Sequence, residues 1–216
     1  MRLVAVAIAL LALVLPARAQ APRADHTPGS FDYYVLSLSW SPSYCEAEGR
    51  NADRRQCSSG RPYAFVVHGL WPQYERGWPE FCRTDERRLP RREVDAMLDI
   101  MPDPGLVIHE WKKHGTCSGL TQKGYFGRLR DAYGRVRVPD GYRSLDTYRM
   151  TSPGDVEKAF MAANPGLAAD MIAVTCDTRR LREVQICMDR NLGFRACPAV
   201  DRRSCRNGRI AMPPVR

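Results

Sequence analysis

At 216 residues the chain is long enough to bury one substantial core and too short for two ordinary domains, and it contains no internal repeat or low-complexity tract. Lysine and arginine outnumber aspartate and glutamate by 33 to 24, a formal charge of +9. That charge fits a polyanionic partner, but 29 of the cations are arginine, a bias that genome composition produces as readily as phosphate recognition, so charge alone excludes little.

Arg2 precedes an unbroken apolar run over residues 3–15, followed by Pro16 and the small-residue tripeptide Ala17-Arg18-Ala19. This is the pattern of a secretory signal peptide over residues 1–19, with cleavage after Ala19 and a mature chain starting near Gln20 at a charge of +7. The run is too short to cross a ~30 Å hydrocarbon core as a helix and no later segment is apolar enough, so no membrane anchor is expected. Residues 20–30 read as a flexible leader and residues 31–216 as one folded domain.

In residues 31–41, FDYYVLSLSWS, Leu36, Leu38 and Trp40 share one face while Ser37, Ser39 and Ser41 share the other, which predicts a half-buried strand. A second β-rich run, residues 63–67, leads into His68-Gly69, with Pro72 expected to end its regular course. Residues 171–175 and 183–188 are two further strands. Between them, Val94, Met97, Leu98 and Met101 form one stripe at helical spacing and Tyr125, Leu129, Tyr133 and Val136 another, as on core-facing helices. Ser152-Pro153-Gly154-Asp155 supplies an N-cap, a first-turn proline and an acid three residues after the cap, and Asn164-Pro165-Gly166 ends that helix. Strands and helices mixed without strict alternation predict an α+β fold with a central, mainly antiparallel β-sheet packed with helices. The eight cysteines, at 45, 57, 82, 117, 176, 187, 197 and 205, are an even set in an exported chain. They predict a disulfide-stabilised single domain rather than thiol chemistry, with 105 pairings open.

Three of the four histidines fall in two short segments, HGLWPQ at 68–73 and HEWKKHGTC at 109–117. On a helix at 100° per residue, with His109 at zero, Lys113 lies at about 40°, Glu110 at about 100° and His114 at about 140°, so four chemically active side chains share one side. Gly115 suits the C-terminal cap of that helix, and Cys117 can tie its end to another segment. A histidine pair with lysine and glutamate beside it supplies a general base, a general acid and a cation for a phosphorane, the set that cleaving RNA through its own 2′-hydroxyl requires. The zinc-protease pattern H-E-x-x-H is near but not met. In H-E-x-x-x-H the histidines diverge by about 140°, and Lys113 adds a repelling charge, so neither metal nor cofactor is expected.

HGLWP and HEWKKHGTC resemble the two active-site segments of the ribonuclease T2 family, in the expected order and separation, and LSLSWSPSYC resembles that family's first core strand. The similarity covers Phe31 to about Cys205. The resemblance implies that residues 31–216 are a catalytic domain of α+β fold that cleaves RNA through a 2′,3′-cyclic phosphate towards a 3′-phosphate. His68 and His114 match the catalytic pair, His114 on the base side and His68 on the acid side. Glu110 and Lys113 match the residues that polarise the phosphate and stabilise its pentacoordinate state, and His109 matches a phosphate-contacting histidine. Trp71 matches a base-stacking position. Where some members carry an acid after the proline this chain has Gln73, which implies graded rather than absolute base preference, and Tyr74 and Trp78 would complete an aromatic pocket. The resemblance also implies the disulfides Cys82 with Cys117, Cys176 with Cys205, Cys187 with Cys197 and Cys45 with Cys57.

The expectation is therefore a secreted, periplasmic or extracellular endoribonuclease, monomeric, acting on RNA with broad base tolerance. The rival from another class is a catalytically silent cationic RNA-binding protein, against which the intact set of His68, Glu110, Lys113 and His114 argues. A secreted metallohydrolase is the second rival, separable by resistance to chelators.

Overall fold

The computed structural model describes residues 26–86 and 88–216, so the expected signal peptide lies outside the described residues. The chain runs β1 (Tyr33–Trp40), α1 (Ser41–Glu48), α2 (Arg54–Cys57), β2 (Phe65–Gln73), α3 (Arg91–Asp95), α4 (Pro104–Lys113) and α5 (Gln122–Gly134). It continues through β3 (Arg149–Thr151), α6 (Pro153–Ala163), β4 (Ile172–Cys176), β5 (Leu181–Met188), α7 (Pro198–Asp201) and β6 (Ile210–Met212). Four strands form one antiparallel sheet in the order β2-β1-β5-β4, and β3 and β6 pair separately. Helices α4 and α5 lie against β2, and α6 against β4. The fold is the expected α+β arrangement. Four disulfides close it, Cys45–Cys57, Cys82–Cys117, Cys176–Cys205 and Cys187–Cys197, the pairs that the resemblance implies.

The predicted faces of β1 are right, but the strand is central and buried on both sides rather than half-buried. Tyr34, Leu36, Leu38 and Trp40 enter the main core. On the opposite face Tyr33 and Val35 pack with Ala173, Cys187, Cys197 and Val200. Of the strand's serines on that face, Ser37 is buried and Ser39 partly so. Small hydroxyl residues there leave room above the strand for the side chains of its neighbours.

Strand β2 does not end at Pro72 but runs to Gln73. It is an edge strand, where a missing N–H breaks no ladder. Its irregularity lies earlier. Ser37 pairs with Gly69 and Leu38 with Val67, so His68 is the extra residue of a β-bulge. A bulge re-aims side chains locally, and here it moves His68 off the core face, so that His68, Trp71 and Gln73 all line one cleft.

The stripe Val94, Met97 and Met101 is buried, but only residues 91–95 are α-helical, and turns carry the rest. In α5, Tyr125 and Leu129 are fully buried, and Val136 is buried just beyond the helix end. Ser152 caps α6 by accepting the Asp155 N–H at 3.1 Å. Of the expected leader, only residues 26–30 lie among the described residues. Residues 26–30 are held by Gly29 N–H donating to the Cys117 carbonyl at 2.9 Å, and by Arg190 donating to the Gly29 carbonyl at 3.1 Å.

Candidate active site

Helix α4 supplies the second histidine segment. Asp103 caps it by accepting the Gly105 N–H at 2.7 Å, Pro104 takes the first turn, and Lys112 and Lys113 face the negative end of the helix dipole. Val107 and Trp111 bury the core side, and Trp111 Nε1 donates to the Glu86 carbonyl at 2.9 Å. The C-cap is His114 itself, not Gly115 as expected. Gly115 opens a 3-10 turn over Gly115–Ser118. It must be glycine for another reason, because a Cβ there would lie 2.4 Å from the Trp111 ring and 2.9 Å from Tyr125. Cys82–Cys117 then locks the helix end to the loop after β2.

The two segments meet in a cleft of about 310 Å³. Of the residues expected there, His68, Trp71, Gln73, Trp78, His109, Glu110, Lys113 and His114 line it, while Tyr74 packs against the core instead. Trp71 lies between the two histidines, its ring centroid 5.2 Å from that of His68 and 5.3 Å from that of His114, and its Nε1 donates to Glu110 Oε2 at 2.7 Å. The indole thus spaces the imidazoles and anchors the buried carboxylate, a positioning task beyond the base stacking expected of it. Gly69 is required at this point, since a Cβ would stand 2.0 Å from Glu110 Oε2. Gln73 is buried and donates to the Pro72 carbonyl at 3.2 Å. Trp78 lies partly exposed at the rim.

Sequence reasoning missed Glu183, Arg203, Thr175 and Gln185. His68 Nδ1 is 2.5 Å from Glu183 Oε1, and its Nε2 is 3.7 Å from Glu110 Oε1. Strand β1 separates β2 from β5, so the His68–Glu183 contact spans two strand spacings, on the face where β1 carries serine. Gln185 steadies the other oxygen of Glu183 at 2.9 Å. The guanidinium of Arg203 lies 5.3 Å from the Trp78 ring centroid, at the rim of the cleft. None of these four sits in a recognisable motif; strand register brings in Glu183, Thr175 and Gln185, and the turn after α7 brings in Arg203.

The electrostatics separate the two histidines. Burial lowers the His68 pKa, but the hydrogen bond to Glu183 and the charges of Glu183 and Glu110 outweigh it, and the net shift is upward. Burial, with the charges of Lys113, His68 and His109, pushes His114 down to about 3. Its Nδ1 is buried with no hydrogen-bond partner among the described residues. His109 is also lowered, by burial and then by Lys113. Glu110 is raised to about 7 by burial, against the pull of His68 and Trp71. Burial raises the Glu183 carboxyl, but its bonds to His68 and Gln185 prevail and the net shift is downward. Lys113 Nζ stands 3.8 Å from Glu80 Oε2 at the cleft mouth. Among the described residues no group of three His, Cys, Asp or Glu side chains is arranged to hold a metal ion.

The cleft thus brings together two imidazoles whose surroundings shift their pKa values in opposite directions, a pair suited to giving and taking a proton. The model of the ribonuclease T2 family matches residues 31–197. A ribonuclease of Aeromonas hydrophila is 38% identical over 190 residues, 85% of this chain and 84% of that one. Among solved structures, RNase NT in complex with 5′-AMP has a TM-score of 0.63 at 27% identity, covering 85% of this chain and 98% of that one. An RNase-related protein from Calystegia sepium has a TM-score of 0.68 at 23% identity over 86% of this chain and 98% of that one, and shares the fold. The chain belongs to the ribonuclease T2 family.

Proposed function

We propose that this protein is a secreted endoribonuclease that cleaves single-stranded RNA without a metal ion, using His114 as general base and His68 as general acid. Family membership makes it an RNA-cleaving enzyme of the T2 type. The observation that carries the mechanism is that two imidazoles face one cleft in surroundings that shift their pKa values in opposite directions, His68 up and His114 down, the arrangement by which environments assign acid and base roles.

In the first step neutral His114 takes the proton of the 2′-hydroxyl, and the 2′-oxygen attacks phosphorus. Protonated His68 gives its proton to the 5′-oxygen as the P–O5′ bond breaks, leaving a 2′,3′-cyclic phosphate. In the second step water attacks the cyclic ester with the proton transfers reversed, giving a 3′-phosphate. Lys113 carries the charge that the phosphorane oxygens develop, and His109 contacts the phosphate. Against burial, the bond to Glu183, with the charges of Glu183 and Glu110, raises the His68 pKa and favours its protonated form. Burial depresses His114 most, and an arriving phosphodiester offsets the further depression by the charges of Lys113, His68 and His109, which raises its basicity when substrate is bound.

Trp78 offers a stacking surface and Gln73 a neutral amide, which supports broad base tolerance. Four disulfides and the signal-like residues 1–19 support export to a periplasm or the medium, with residues 31–216 as the catalytic domain. No helix among the described residues is long and apolar enough to cross a membrane.

The test uses one mixed-sequence strand in RNA and in DNA form, with and without excess EDTA. Products ending in 2′,3′-cyclic phosphate, from RNA only and unchanged by EDTA, are expected. Cleavage of the DNA strand, or loss in EDTA restored by zinc or magnesium, refutes the mechanism.

A further inference from the structure

Just outside the cleft, the loop after β2 holds an aromatic ring in water. Phe81 is 59% exposed, more than any other large apolar side chain among the described residues. Its φ is +50°, a backbone region that few residues other than glycine adopt. Two anchors impose that conformation. The Phe81 N–H donates to the Lys113 carbonyl at 2.9 Å, and the next residue, Cys82, is bonded to Cys117. The loop is thereby tied to the C-terminal end of the helix that carries His109, Glu110 and Lys113. Strain of this kind persists where the surroundings over-determine it, and it clusters at functional sites.

Phe81 borders a cavity of about 360 Å³, within the size range of small-ligand sites, whose other walls are Cys82, Arg83 and Lys112. Elsewhere on the surface Arg91, Arg130 and Arg195 face carboxylates. No carboxylate among the described residues pairs with Arg83 or Lys112. Lys112 precedes Lys113, which lines the cleft, about 100° round the end of α4, so the cavity and the cleft share that helix end though no lining residue. A flat ring flanked by two unpaired cations is the recognition set for a single-stranded nucleic acid, with the base on the ring and the phosphates on the cations.

We infer that Phe81, Arg83 and Lys112 form an outer nucleotide subsite that takes a base and its phosphate from the RNA strand flanking the scissile bond. The inference rests on the reading of the cleft as the RNA-cleaving site. The subsite is tolerant of base identity, because stacking uses a π-face that every base has. It adds affinity for strands long enough to reach it and nothing for a dinucleotide.

The test compares a dinucleoside monophosphate with the same unit embedded in a longer strand, extended with deoxynucleotides on the 5′ or the 3′ side so that each substrate has one cleavable bond. The parent is expected to favour the extended strand on one side. Phe81→Ala should lose about tenfold in kcat/KM there, through KM, the effect of ~1.4 kcal/mol of stacking, with dinucleotide kinetics unchanged. Phe81→Trp should retain the preference, and Arg83→Ala should reduce its salt dependence. Equal losses on both substrates in folded Phe81→Ala, no loss on either, or a change of oligomeric state in place of a length effect overturns the subsite. If the parent cleaves no RNA the mechanism fails instead. The subsite is then judged by fluorescence anisotropy with an all-deoxy strand, where Phe81→Ala must still weaken binding about tenfold to sustain it.

Discussion

Glutamine at position 183 removes one negative charge beside His68 while keeping an oxygen that can accept from its Nδ1–H, so Glu183→Gln tests the charge and spares the geometry. The contact is 2.5 Å, and both side chains are largely covered. A hydrogen bond to a charged group contributes about 1.5–3 kcal/mol and a neutral one about 0.5–1.5 kcal/mol, so the substitution forfeits about 1–2 kcal/mol of support for the protonated imidazole. At about 1.4 kcal/mol per tenfold this is a loss of about 5- to 30-fold in kcat on the alkaline limb, at a pH where the acid is losing its proton in both proteins. The sign is fixed by the competing influences on His68. Burial alone depresses its pKa, and the carboxylates reverse that. Without Glu183 the proton leaves at lower pH, and the alkaline limb of the kcat profile moves towards acid. The assay is kcat against pH on a substrate with a single ribonucleotide, with the His68 imidazole followed in parallel by NMR titration. Glu183→Asp keeps the charge on a shorter arm and should fall between parent and glutamine variant. An alkaline limb that stays in place, with kcat within about twofold of the parent, refutes the reasoning whatever happens to stability.

Alanine at His68 or at His114 should each remove about 10²-fold or more of the transphosphorylation rate while circular dichroism and RNA affinity stay close to the parent. Lys113→Ala should lower kcat and His109→Ala should mainly raise KM, as steady-state kinetics would show. Glu110→Gln should cost activity but stabilise the fold in a pH-dependent way. Below the ordinary value of 4.5 the carboxyl is protonated in both folded and unfolded states, whereas by pH above about 7 the folded protein has had to ionise a buried acid. The variant's advantage in chemical denaturation should therefore grow by about 3 kcal/mol between pH 4.5 and 8, and an advantage that shrinks with rising pH would contradict the burial argument. Replacing Cys82 and Cys117 by alanine opens a loop spanning 35 residues and should lower unfolding free energy by about 4 kcal/mol.

Much of this molecule is legible in its sequence. The alternation around Leu36, Leu38 and Trp40, the capping residues at Ser152 and the spacing of His109, Glu110, Lys113 and His114 report local geometry, which a period of two or of 3.6 residues encodes directly. Those signals define the class of fold, the helix that carries His109, Glu110 and Lys113, and the side chains that share its face. Tertiary structure alone decides what a period cannot carry. Whether a strand's polar face meets water or lies beneath a cleft depends on the elements packed over it, which is why Ser37 is buried. A bulge is a mismatch between two strands, so the displacement of His68 exists only once β1 and β2 are paired. The contact of His68 with Glu183 joins residues 115 apart across a third strand. It raises the pKa of His68, because burial and neighbouring charge depend on distance through space and not on separation along the chain.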